Sequence, residues 1–206
     1  MKLSSFLAIS LAATFLLSPA SRPEALVSQA SSPSDSRVVT SIGSEIIGVS
    51  RTEARKPSFV APYLSTESHM QCMVWGNSKW KLATYKVKAH GTFTGKVKLL
   101  CGTKTGSGYR HIDHRHKKDW FKKLNWKKNE SEANWDLFMK RSVKAILKAP
   151  LNVYVQKGSK LCYQSKVTQT HIKKGKIVDQ RTWNAAVVLS KNHKTIITAY
   201  PGSCAR

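Results

Sequence analysis

Leu161-Cys162-Tyr163-Gln164-Ser165-Lys166-Val167-Thr168 belongs to a series of strand-like segments that fills the end of the chain. Leu151 to Gln156 precedes it, and Ile177 to Trp183, Ala185 to Ser190 and Thr195 to Tyr200 follow. The breaks at Lys157-Gly158-Ser159, Lys173-Lys174-Gly175-Lys176 and Lys191-Asn192-His193-Lys194 have turn composition, so the run reads as an antiparallel sheet. Upstream, Pro150 stops a helix in which Trp135, Phe138, Met139, Ser142, Val143, Ile146 and Leu147 recur at i, i+3, i+4 spacing, with Ser131 as its N-cap. Before it, Gly102, Gly106 and Gly108 lead into a helix from Tyr109 to Leu124 with the stripe Ile112, His116, Trp120, Phe121 and Leu124. Earlier still, Trp80 to Ala89 and Lys96 to Cys101 alternate apolar residues with lysines, as half-buried strands do, around a turn within Gly91 to Gly95. The expected fold is α+β: early helices packed on a twisted, mainly antiparallel sheet, in a single small disulfide-containing domain over residues 70–206. No internal repeat is evident.

The chain opens as a secretory signal peptide over residues 1–20: Met1-Lys2, an apolar run from Phe6 to Leu17, then Ser18-Pro19-Ala20. The run is too short for a membrane span, and no later segment is apolar enough to be one, so a secreted protein is expected. Residues 21–69 are rich in Ser, Ala and Pro and read as a linker or pro-region, with one short strand at Ser44 to Val49. Cys72, Cys101, Cys162 and Cys204 are an even set in an exported chain, which favours disulfides over metal ligation. Three connectivities are open; Cys72 with Cys101 and Cys162 with Cys204 is preferred, because each pairing ties a chain end to an interior strand.

The net charge of +24 is concentrated. Residues 1–68 hold six Lys/Arg against five acids, whereas residues 69–206 hold 29 against six. Such a field attracts polyanions and speeds encounter with them, and it far exceeds what solubility requires. RNA, DNA, anionic lipid and acidic polymers all qualify as partners.

Within this basic region, Gly108-Tyr109-Arg110-His111-Ile112-Asp113-His114-Arg115-His116 clusters imidazoles and guanidinium groups on a helix, and Thr198-Ala199-Tyr200-Pro201 ends the last strand. RNA carries its own nucleophile, the 2′-hydroxyl, so its cleavage needs a base, an acid and donors for the phosphoryl oxygens. His111 is the first candidate for acid or base, Arg115 shares its helical face as a phosphate contact, and His116 turns towards the apolar stripe as a structural residue. Thr198 and Tyr200 point the same way from their strand, with Ile197 and Ala199 opposite. Arg110, Lys117, Lys118, Lys127 and Lys128 are candidate RNA contacts, and Trp126, flanked by lysines, is the best candidate for a base-stacking platform. His111-x-x-His114-x-His116 is compact enough to suggest a metal site, but a helix carries His116 away from His111 and no Cys or carboxylate cluster completes a shell. No metal or cofactor is expected.

From about Gly108 to Gly202 the chain resembles the bacterial RNase A-like toxin domains of contact-dependent inhibition proteins, within the barnase, EndoU, colicin and RelE type ribonuclease superfamily. The match rests on His111 to His116 for the helical His motif, on Asn184 to Leu189 and on Thr198-Ala199-Tyr200-Pro201 for the closing strand. The resemblance implies metal-independent RNA cleavage by His111, a basic residue, Thr198 and Tyr200. Where that family carries an arginine further along the helix, this chain has Lys122 and Lys123, which lack the bidentate fork, leaving Arg115 as the alternative. It also implies a small acidic immunity protein as a partner; a monomer is expected. The competing reading is a non-catalytic secreted cationic protein that binds nucleic acid or other polyanions.

Overall fold

The structure is a computed structural model that describes residues 36–51, 64–127 and 134–205. The segment read as a signal peptide, most of the stretch read as a linker, Lys128 and the expected N-cap Ser131 lie outside the described residues. Among the described residues, three helices and eight strands form an α+β domain with a mostly antiparallel sheet and two disulfides.

The backbone of the sheet is the hairpin of β6 (Lys160–Lys173) and β7 (Lys176–Ser190), paired over its whole length. Its loop is Lys174-Gly175, and both residues have positive φ (51° and 75°), as a type I′ turn requires. The expected break between Trp183 and Ala185 is absent: Asn184 keeps its place opposite Lys166 and donates its amide to Ser203 Oγ at 2.8 Å. A polar residue can interrupt an apolar pattern without interrupting the ladder. The free edge of β6 is shared by two strands, β5 (Asn152–Gln156) on its first half and β1 (Ser36–Ile42) on its second.

β2 (Glu45–Arg51) falls on the short strand expected at Ser44 to Val49, whereas β1 was not expected; both extend the sheet at one edge, so residues 36–51 belong to the sheet and not to a linker. Val38, Thr40 and Ile42 alternate inward, but the polar Thr40 hides the apolar period. On the other edge, β8 (Thr195–Pro201) pairs with β7, and β4 (Phe93–Leu100) meets β8 in the one parallel contact before β3 (Lys81–His90).

A short helix, α1 (Thr66–His69), is capped by Ser65 and runs into a π-helical turn, Met70–Val74, that the sequence did not suggest. It carries Cys72 to its disulfide with Cys101, while Cys162 in β6 bonds Cys204 near the chain end. The preferred pairing is the one observed. The helices α2 (Tyr109–Leu124) and α3 (Trp135–Lys148) fall where the periodicity places them. Ile112 and Trp120 of α2 and Met139, Val143, Ile146 and Leu147 of α3 are fully buried with Val97, Leu99, Leu161, Tyr163, Val187 and Leu189. Each such side chain contributes about 1.5–3 kcal/mol of transfer free energy, which makes this face the dominant core. The other face carries a small second cluster around Cys162, Cys204, Ala186 and Val188, with Ile197 and Tyr200 against it.

Candidate active site

The position of α2 is set by backbone contacts at its head. Gly108 donates its N–H to Ile197 O and Arg110 donates its N–H to Cys101 O, both at 2.9 Å. A side chain at Gly108 would place Cβ 2.5 Å from Leu100 O, at a φ of +85° that L-residues avoid, so only glycine lets β4, α2 and β8 meet here. About three turns beyond, Trp120 Nε1 donates to Ala199 O at 3.0 Å. β8 bulges at Ile197, because Thr198 faces Val188 and Ile196 faces the next residue, Leu189. The extra residue changes the alternation: Ile196 and Ala199 both enter the main core, and Ile197 joins Tyr200 against the second cluster. The expectation that Ile197 shares a side with Ala199 is therefore corrected by the bulge.

These anchors bring His111, His116 and Tyr200 together. The rings of His111 and His116 are 6.0 Å apart, and those of His116 and Tyr200 are 5.3 Å apart. Five residues advance a helix by about 7.5 Å, so the two imidazoles converge rather than diverge. This corrects the reading that a helix carries His116 well away from His111: it is half-buried between His111 and Tyr200.

The hydrogen bonds fix which nitrogens are spare. His111 Nδ1 lies 3.2 Å from Lys104 O, and a carbonyl only accepts, so Nδ1 carries the proton and Nε2 is left for other partners. His116 Nδ1 faces Asp119 Oδ2 at 3.4 Å, which likewise holds the proton on Nδ1. Burial lowers the pKa of His116 below its ordinary value; Asp119 opposes this, and the nearby His111 and Arg115 reinforce it. Tyr200 donates its hydroxyl to Ser203 O at 3.2 Å, and burial raises its pKa, so the phenol stays protonated. A Cβ at Gly202 would lie 3.1 Å from the Tyr200 ring, so this glycine lets the chain fold closely over it. Thr198 Oγ1 is buried and has no hydrogen-bond partner among the described residues.

The other residues singled out in the sequence are dispersed. Arg115 is exposed but close enough to act on His116, and His114, Lys118 and Lys122 are exposed on α2. Arg110 is half-buried and reaches Gly76 O at 3.5 Å, and Lys117 is half-buried. Lys123, Trp126 and Lys127 gather at the far end of α2 beside Trp183, around residues the sequence did not flag: Gln169, Asp179 and Arg181. Arg181 lies 4.6 Å from the centroid of the Trp126 ring and Lys127 4.9 Å, so that ring already carries two cations. Lys123 sits 5.2 Å from the Trp183 ring, and Lys127 pairs with Asp179. No sequence pattern distinguishes Arg181 from the other basic residues of exposed strands, and only the pairing of β7 with β6 brings it to α2.

Among the described residues, no group of three or more His, Cys, Asp or Glu side chains is placed to hold a metal ion, and no helix is long and apolar enough to cross a membrane. Comparisons with protein-family models, curated proteins and solved structures find no match.

Proposed function

We propose that this protein is a secreted, metal-independent endoribonuclease. The observation that carries the reading is the convergence of His111 and His116 on Tyr200, in a region where bases far outnumber acids. His116, kept neutral by burial, takes the proton of a ribose 2′-hydroxyl at Nε2. The 2′-oxygen bonds to phosphorus, the bond from phosphorus to the 5′-oxygen breaks, and protonated His111 delivers a proton to the leaving oxygen. The products are a 2′,3′-cyclic phosphate and a 5′-hydroxyl. Tyr200, turning its hydroxyl away from Ser203 O, and Thr198, whose buried hydroxyl has no partner to give up among the described residues, supply donors for the phosphoryl oxygens, and Arg115 adds positive charge. The two disulfides suit an oxidising, extracellular setting, and an acidic immunity protein would complement the basic surface.

Incubation of the disulfide-bonded protein with RNA in excess chelator tests the proposal. Cyclic-phosphate ends are expected, and they should disappear in His111→Ala while RNA binding changes little. RNA left intact by the wild type would overturn the reading.

One observation favours the non-catalytic alternative. Lys86 and Lys96 are directly paired across β3 and β4, and residues 81–100 include no acid. Like charges placed opposite one another destabilise a sheet unless an anion compensates them, so this face suits any polyanion. It predicts salt-sensitive binding to RNA, DNA and acidic polymers alike, unaffected by substitution of His111 or Thr198.

A further inference from the structure

The far end of α2 holds an ordered cationic group that the proposed chemistry does not use. Gln169 is only 1% exposed, and its amide is fully engaged. Its Nε2 donates to Lys123 O at 3.0 Å and to Thr40 Oγ1 at 3.3 Å, while its Oε1 accepts from Arg181 Nε at 2.9 Å and from Trp183 Nε1 at 3.2 Å. Arg181 NH2 donates to Lys123 O at 2.8 Å. The guanidinium is thus gripped on one edge by a buried amide and a carbonyl and lies against Trp126, with its NH1 edge uncommitted to either contact. Lys123 is drawn in beside it, and its pKa is lowered by burial first and then by Arg181 and Lys122. Lys127 joins them with φ at 77°, a left-handed backbone conformation that side-chain-bearing residues seldom adopt. Asp179, already paired with Lys127, and Asp119, which acts on Lys123, are counter-charges at the site.

A structural clamp needs the stacked rings and the buried amide. It does not need three cations crowded around them. We propose that Arg181, with Lys123 and Trp126, forms a subsite for a backbone phosphate of a single-stranded RNA whose scissile bond lies at His116. This rests on the ribonuclease reading and specifies how the substrate is held. Lys123 lies about 10 Å along the helix from His116, farther than the single phosphodiester of a dinucleotide spans, and Trp126 follows just past the helix end. A strand bound at His116 and Tyr200 would follow α2 past Trp120 to reach Arg181. Its fork-shaped donors, fixed before binding, lose little freedom on meeting the phosphate.

The test uses end-labelled oligodeoxynucleotides of two and eight nucleotides, which lack the 2′-hydroxyl and survive the assay, with anisotropy followed across a salt series. In Arg181→Gln the octamer should bind several-fold more weakly and lose about one from its salt-dependence slope, with the dimer unchanged. Equal binding of the octamer by Arg181→Gln and wild type, or equal weakening of dimer and octamer, would overturn the subsite. A second measurement covers a variant that does not fold: the octamer should change the indole emission of the wild type, and Trp126→Phe should abolish that change. An identical change in Trp126→Phe counts against the subsite. Cleavage of RNA in chelator is scored separately, so a failed subsite with intact cleavage leaves the ribonuclease reading standing, and the reverse result removes only the chemistry.

Discussion

The two ends of α2 are joined to the sheet in opposite ways. At its head the joint is made by backbone, through Gly108 to Ile197 and Arg110 to Cys101, and the side chains keep spare valences. His111 and His116 each hold Nε2 free of the contacts that fix Nδ1, and Thr198 Oγ1 is buried without a partner. At its tail the joint is made by side chains, and Gln169 spends all of its hydrogen-bonding capacity on Arg181, Trp183, Thr40 and Lys123. An unmade buried hydrogen bond costs about 1–3 kcal/mol, so the head tolerates a defect that the tail avoids. Reactive groups need open valences, and binding platforms need fixed ones.

The largest effect expected from this contrast is on turnover. His116→Ala should reduce RNA cleavage by a hundredfold or more, about the value of one acid or base, while Trp126→Phe leaves cleavage of a dinucleotide unchanged. Equal losses in the two variants, measured as initial rates at matched folded fractions, would erase the distinction between the ends. The next effect is on stability. Gln169→Leu strands Arg181 Nε and Trp183 Nε1 at once, while Lys123 O keeps Arg181 NH2, and should lower the unfolding free energy by about 1–3 kcal/mol in urea titration. Dinucleotide cleavage per folded molecule should be preserved. The head should show the reverse: Thr198→Val removes an unpartnered hydroxyl, so stability should hold or rise while turnover falls about tenfold. A stability loss in Thr198→Val as large as in Gln169→Leu would mean that the head is simply packing.

Much of this architecture was legible in the sequence, for reasons that also explain what was not. α2, α3 and the late strands declare themselves because one face of each is buried and their apolar residues keep a period. β1 escaped notice because it buries Thr40, whose hydroxyl is satisfied by Gln169, a residue distant in sequence. His111 and Tyr200 were accessible as local motifs. The contact of His116 with Tyr200 was not, because it depends on where β8 places Tyr200, and that depends on a bulge at Ile197 with no composition signal. Arg181 and Gln169 were invisible for the same reason: a site shared by α2, β6 and β7 exists only once the strands are in register.

The smallest effect is on pH dependence, and its sign follows from the head's geometry. Burial lowers the pKa of His116, so it remains neutral, and able to accept a proton, below the ordinary histidine value of about 6.5. The acid limb of kcat/KM should therefore fall below pH 6.5. Asp119 is the group that opposes burial, since its carboxylate favours the charged imidazole; Asp119→Asn should shift that limb to still lower pH. Stability should respond in the matching direction. With the folded pKa below the unfolded one, the unfolded chain binds more protons as pH falls through 6.5, so this group costs stability progressively until its folded pKa is passed. His116→Gln removes that contribution and should flatten the urea midpoint over the same window. An acid limb that moves upward in Asp119→Asn, or that survives unchanged in His116→Gln, would assign the titration to another group and return His111 to the role of base.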